Sequence, residues 1–429
     1  MGFNLIAEPW VPVVQAGRYR EASPLEALST PGLVLAAHPY EEAPVLRFLL
    51  YLLAWAFQGE DEEEVAELPP EAWRERAEER TRPFLEAFDL FGEGFFLRGE
   101  GEVPWEGLEV LRPDWPSKGG EPAYLARPRG VPGPLRLAPA ETARALLASL
   151  AYSPGGLYKR LGLTSLPGAP LSQGAVFYAL GRDLPTTLAL NLVVPGRLTA
   201  PWEEGYRPRE PLDLYLFPSR RYALRLGEDG LVDAVRVYPG LPPLREAPDP
   251  MMAHGERRGS PVPLTPREGE DLFGAVLPRF RERRPPLVLE RAAYREEVLG
   301  PYAVRVVAQV KDQSRIPALL EATFPAMNLE REGFRLRLAE TAWELGEVLA
   351  EASREAGGGK GAPSGFLFGA ERAVLEAGSE EEGRRTLKAL FARSLEEALA
   401  PKAAKRPKAV AEAYRRAWRK AAKILEVGT

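Results

Sequence analysis

The sequence has no cysteine and only two histidines, His38 and His254, far apart in unrelated surroundings. Disulfides, thiol nucleophiles and Cys-ligated zinc are excluded, and two separated imidazoles cannot supply a histidine-rich metal site. No uninterrupted apolar run approaches the ~20 residues that cross a bilayer. The opening Met1-Gly2-Phe3-Asn4-Leu5 has neither the basic region nor the apolar stretch of a secretory leader. Ile6 stands where a myristoylation signal wants Ser or Thr. A cytoplasmic protein is expected. Also missing are a Gly-x-Ser-x-Gly elbow, a Walker loop and a His-Glu-x-x-His pair. Carboxylates are plentiful, but none is singled out by its spacing. These absences predict a protein that is not an enzyme and carries no cofactor and no metal. Gly357-Gly358-Gly359-Lys360-Gly361 comes nearest to a phosphate loop. It lacks the Lys-Ser/Thr ending and a preceding strand, so it reads as a linker between helices.

What is present is ordinary in amount and uneven in placement. At 429 residues, with 45% hydrophobic and 27% charged residues, the chain fits a soluble protein of two or three domains. Its 43 prolines, together with Arg preferred over Lys before residue 350, suggest a thermophile. Net charge is −5, but the chain is polarised. Glu60 to Arg82 is strongly acidic and reads as a solvated surface. Lys402 to Lys423 sets nine basic residues against Glu412 alone. A solvated helix would interleave glutamates. Nearly unopposed cations instead favour contact with a phosphate backbone, with Arg415, Arg419 and Lys423 at i, i+4 and i+8.

In chain order, Ser23 with Pro24 marks a helix start, and Pro9 and Pro12 predict a sheet edge. Pro44 to Gln58 is apolar all round, hence a buried helix. Pro70 to Phe91 reads as another helix, anchored by Trp73, Phe84 and Phe88. Residues 92–139 are irregular, which marks either a functional loop or a surface loop. Ala143, Leu146, Leu147 and Leu150 share one helical face. They lead into Ser153-Pro154-Gly155-Gly156-Leu157-Tyr158-Lys159-Arg160, where glycines and cations replace core residues. Such a loop can bring backbone amides against an anion, or simply cap the helix. Leu184 to Val194 is a further apolar run. Tyr222–Leu226 and Leu231–Tyr238 flank a turn at Gly227–Gly230 and form a hairpin. Tyr302 to Val310 is a β-branched strand ending in a polar tip, Lys311 to Pro317. Beyond Leu319 the pattern turns helical: Leu329–Ala356, Phe366–Ala377, Glu380–Leu399 and Lys402–Val427. The expected class is α+β, with a large mixed α/β domain over residues 1–320 and a four-helix bundle over 321–429.

Several stretches together carry a resemblance. Asn4-Leu5-Ile6-x-Glu8-Pro9-Trp10-Val11-Pro12-Val13 is similar to the opening of the large subunit of the type I-E CRISPR Cascade complex, the CasA family. So are Gly155-Gly156 with the following Gly-x-x-Phe strand, and Gly181-Arg182-Asp183-Leu184-x-x-Thr187-Leu188-x-Leu190-Asn191-Leu192. Tyr215-x-x-Pro218-Ser219-Arg220-Arg221, Asp249-Pro250-Met251 and Asp312-Gln313-Ser314 follow in the family's order. The resemblance implies a non-catalytic subunit that reads the protospacer-adjacent motif in duplex DNA, largely from the minor groove. It also implies that the subunit starts unwinding and supports loading of the target strand. The implied partners are double-stranded target DNA, CRISPR RNA, the other Cascade subunits and a recruited nuclease-helicase. The glycine loop maps to Gly155 and Gly156 with Lys159 beside it, and a nearby loop to Tyr124–Arg127. The duplex-opening wedge maps to Gln313, flanked by Asp312 and Ser314. No lysine occurs between Lys159 and Lys311, so the family's lysine finger is absent as lysine. Arg245, Arg257 or Arg258 would replace it with a planar fork. The other reading the resemblance leaves open is a scaffold subunit that does not touch DNA.

Overall fold

The computed structural model describes residues 2–111, 135–153, 168–242, 244, 247–257, 260–265, 284–312, 315–325, 333–357 and 364–426. Described residues within 1–268 and 285–323 form one compact unit, and those within 269–284 and 324–429 fall in a second.

The first unit opens with strands β1 (Val11–Gln15) and β2 (Arg18–Ala22), joined through Ala16 (φ 49°) and Gly17 (φ 76°). Two consecutive positive φ values match the twist of a tight hairpin. Helix α1 (Pro24–Ser29) starts as Ser23 and Pro24 predict, with Ser23 Oγ accepting from Glu26 N at 3.2 Å. β3 (Val34–Leu35) completes the sheet in the order β2-β1-β3, so β1 is central and not an edge. Pro12 is tolerated there because the position uses its carbonyl, which accepts from Ala36 N at 2.9 Å.

Helix α2 (Pro39–Ala56) is buried on all sides, and its start lies upstream of Pro44. The acidic stretch then folds as α3 (Glu62–Glu67) and α4 (Pro70–Thr81), which bury Val65, Ala66, Trp73 and Ala77. α4 gives way to a 3-10 turn over Arg82–Phe88, where Pro83 cannot continue an α-helical ladder. Residues 92–111 are not a free loop. Phe95, Leu97, Leu108 and Leu111 are buried, and Arg98 and Glu106 bridge to Tyr222 and Val235. Next come α5 (Pro139–Tyr152), β4 (Ala175–Leu180) and α6 (Leu184–Asn191), the last being the apolar run after Asp183. A knot of rings fixes this core: Trp202 lies 4.8–5.7 Å from the rings of Phe88, Trp55, Phe96 and Tyr51.

β5 (Arg220–Leu226) and β6 (Val232–Pro239) form the expected hairpin, and β7 (His254–Arg257) pairs β8 (Ser260–Pro263). Most acidic residues of Glu60–Arg82 are exposed as expected, but helix α7 (Leu287–Leu299) draws two of them inward. Its Arg295, 3% exposed, binds Glu63 at 2.8 Å and Glu62 at 2.9 Å and donates to the carbonyls of Ala189 and Leu192. Part of the acidic run therefore neutralises a buried cation. β9 (Ala303–Asp312) and β10 (Arg315–Pro325) complete a sheet of order β10-β9-β4. β10 continues past Leu319, where helical pattern was expected. Pairing with β9 overrides the helix propensity of Ala318-Leu319-Leu320-Glu321-Ala322.

From residue 333 onward the described residues of the second unit form only helices: α8 (Gly333–Glu355), α9 (Ser364–Glu376), α10 (Glu380–Ala403) and α11 (Pro407–Glu426). α8 buries Leu338, Ala342, Leu345, Leu349 and Ala352, a stripe at helical spacing. α10 contributes Leu387, Phe391, Leu395 and Leu399, and Trp418 of α11 meets Phe391 edge to face at 5.5 Å. Gly383 permits the close approach of α8 and α10, since a Cβ there would lie 2.2 Å from Leu338. The α+β class and the four-helix C-terminus are as the sequence predicts.

Candidate nucleic-acid interface

Helix α11 is the most one-sided element of the second unit. Ala413, Ala417 and Ala421 recur every four residues and form its buried face. Their small size lets α11 lie close on α8. On the opposite side Lys408, Glu412, Arg415, Arg419 and Lys423 follow one exposed stripe. Arg415 Nε donates to Ala411 O at 3.2 Å and Arg419 Nε to Arg415 O at 3.4 Å, both carbonyls of their own helix. None of Lys408, Arg415, Arg419 and Lys423 has a carboxylate partner among the described residues.

The neighbouring row behaves differently. Arg416 Nη1 meets Glu355 Oε1 at 2.6 Å, and Lys420 Nζ meets Glu351 Oε2 at 2.5 Å, both on α8. Lys402 donates to Ser353 Oγ at 3.1 Å. The basic segment is therefore not uniformly unopposed, as its local sequence suggests. One row is neutralised by glutamates far upstream, and the other has no carboxylate partner among the described residues. At the far end of α10, Arg337 and Arg384 hold Glu380 below its ordinary pKa, Arg337 chiefly through a hydrogen bond.

In the first unit the supports of the expected reading elements are visible. Ser153, at the end of α5, is pinned twice: its Oγ lies 2.9 Å from Ser149 Oγ, and its carbonyl accepts from Ala169 N at 3.0 Å. The second of these bonds brings together residues 153 and 169, on either side of the glycine segment. Asp249-Pro250-Met251 proves to be a core device. Asp249 Oδ1 lies 2.7 Å from Arg47 Nη2 with side chains 4% and 0% exposed, and Arg47 sits 4.8 Å over the Tyr215 ring. Met251 O accepts from Phe177 N at 2.7 Å, which ties the motif to β4. On β9, Arg305 binds Glu42 of α2 at 3.0 Å and Glu321 of β10, and donates to Thr323 Oγ1 at 3.3 Å. Burial works against its charge, but Glu42, Tyr178 and Glu321 together hold the Arg305 pKa above its ordinary value.

Residues 4–425 match the family model described as CRISPR-associated protein Cse1. Over an alignment of 415 residues the chain is 31% identical to the CRISPR-associated protein CasA/Cse1 of Thermus thermophilus, covering 82% of this chain and 77% of that one. The chain belongs to the Cse1 (CasA) family. It is the family of large type I-E Cascade subunits to which the motifs point. The solved Thermus thermophilus CasA (Cse1) superposes with a TM-score of 0.75 at 25% identity over 99% of both chains. Thermobifida fusca Cse1 shares the fold at a TM-score of 0.73 and 20% identity, over 99% of this chain and 96% of its own. So does a chain of a CRISPR RNA-guided surveillance complex, at a TM-score of 0.75 and 19% identity, over 99% of this chain and 100% of its own.

Of the residues expected to touch DNA in this family member, Arg415, Arg419 and Lys423 lie together on the free row of α11. Asp312 is the last residue of β9. Gly155, Gly156, Lys159, Arg127, Arg245, Gln313 and Ser314 fall outside the described residues. The structure places Lys408 on the same α11 row, and it pairs Arg47 with Asp249 and Arg305 with Glu42. One signal for the neutralised row was legible: Glu351 and Glu355 are spaced by four, as are Arg416 and Lys420. Among the described residues no group of three or more His, Asp or Glu side chains is placed to hold a metal ion. Nor is any described helix long and apolar enough to cross a membrane.

Proposed function

We propose that this chain is the large, non-catalytic subunit of a CRISPR RNA-guided surveillance complex. In this reading it joins the CRISPR RNA and the other Cascade subunits, and it reads the protospacer-adjacent motif in duplex DNA. Reading falls to Gly155, Gly156 and Lys159 with the loop that carries Arg127, and Arg245 stands in for the missing lysine. Gln313, between Asp312 and Ser314, opens the first base step, after which the opened complex recruits a nuclease-helicase. Minor-groove readout is degenerate, which suits tolerance of several motif sequences.

The observation that carries a nucleic-acid role is the row Lys408, Arg415, Arg419 and Lys423. These four side chains are exposed and lack carboxylate partners among the described residues, while cations of the adjacent row are paired. Uncompensated cations aligned on one helix face form a site for a phosphate backbone. Binding of a motif library by the assembled complex, repeated across salt concentrations, tests the reading. Motif-dependent binding with a steep salt slope is expected. Binding that ignores both motif and salt would leave the chain as a scaffold.

A further inference from the structure

The hairpin of β9 and β10 is supported on one side only. β4 pairs with β9 over six residues, Ala303 to Ala308, and reaches no further toward the tip. Asp312 stands four residues beyond that support, about 13 Å at the rise of a strand. Isolated two-stranded ribbons are marginal in water, so this overhang needs a brace if its tip is to push on anything.

Arg305 braces the root from which that overhang projects. It lies opposite Tyr178 inside the paired stretch, seven residues or about 23 Å from Asp312. Its guanidinium is 16% exposed and binds three groups on two elements: Glu42 in the first turn of α2, and Glu321 and Thr323 on β10. Glu42 is itself only 12% exposed, and α2 is buried along nearly its whole length. One planar fork thus locks both strands of the hairpin to the core, a task a point charge performs poorly.

We infer that Arg305, through Glu42 and Glu321, is a positioning residue that stiffens the β9–β10 hairpin so that its tip can open duplex DNA. The inference rests on the duplex-opening reading of Gln313. It adds where the reaction force goes: from the tip, along β9, into α2. Glu42 and Arg305 are 263 positions apart, and no local pattern announces their contact.

The test uses the assembled complex and a fluorescent base analogue beside the motif. Arg305→Met slows strand opening about tenfold and leaves motif-dependent association unchanged, a factor within the range of measured couplings between contacting residues. Arg305→Lys gives an intermediate rate. Glu42→Gln and Glu321→Gln, which keep side-chain volume, slow opening in the same direction should Arg305→Met fail to assemble. Combining Arg305→Met with Gln313→Ala is no slower than Gln313→Ala alone, because both act on one step. Wild-type opening by Arg305→Met beside a slow Gln313→Ala overturns the brace, as do two effects that multiply. If Gln313→Ala has no effect, the duplex-opening reading has failed. The brace then stands or falls by hydrogen exchange of residues 303–312 and 315–323: faster in Arg305→Met upholds it, unchanged refutes it.

Discussion

Reversing the free row of α11 with Arg415→Glu, Arg419→Glu and Lys423→Glu separates backbone binding from structural charge. From Lys408 to Lys423 the row runs about 22 Å along the helix, at 1.5 Å per residue. That length faces about six nucleotides of a strand at 3.4 Å each. Each cation that neutralises a phosphate contributes about 0.9 to the salt slope on duplex DNA, or about 0.7 on a single strand. Removing three lowers the slope by about 2 to 3, so a fourfold rise in salt costs the variant about 20- to 40-fold less affinity than the parent. The fold is spared, since Ala413, Ala417 and Ala421 make the packing face and exposed substitutions move stability by about 0.5 kcal/mol or less each. The assay is a salt titration of target binding by the assembled complex across several motif sequences. All sequences weaken alike. Arg416→Gln with Lys420→Gln, whose charges Glu355 and Glu351 already neutralise, changes the slope far less. Equal slope changes from both rows, or weakening confined to one motif class, would refute the reasoning.

Other consequences can be checked separately. Asp249→Ala leaves the Arg47 guanidinium buried without its carboxylate and costs about 3–5 kcal/mol of the first unit's stability, measurable by denaturant unfolding. Gln313→Ala preserves motif-dependent encounter but slows strand opening about tenfold or more, because unstacking a base step costs a few kcal/mol that an inserted side chain offsets. Glu380 ionises below its ordinary value near 4.5, so its contribution is full above that pH and is lost as pH falls through the lower, folded-state value. Glu380→Gln therefore flattens the acid limb of helical-unit stability, followed by circular dichroism. An unchanged acid limb would mean that Arg337 and Arg384 do not bind Glu380 in solution.

Local chemistry is what the sequence by itself determined. Ser23 before Pro24 defines the start of α1, because an N-cap oxygen and a preset φ act within one turn. Gly227 to Gly230 turns the β5–β6 hairpin, and four apolar stripes of helical period build the C-terminal unit for the same short-range reason. The ordered motifs from Asn4 to Ser314 were enough to identify the family. The tertiary structure alone decided which charges remain free. Nothing in the local sequence announces the partners of Arg47, Arg295 and Arg305, yet each is buried or nearly so against carboxylates 202 to 263 positions away. The nine cations of Lys402–Lys423 look alike, yet α8 brings Glu351 and Glu355 against two of them and leaves the Lys408–Lys423 row open. Periodicity shows which face of a helix is polar. Whether that face meets a glutamate or solvent depends on which helix packs beside it, and coulombic pairing acts over ångströms in space, whatever the separation along the chain.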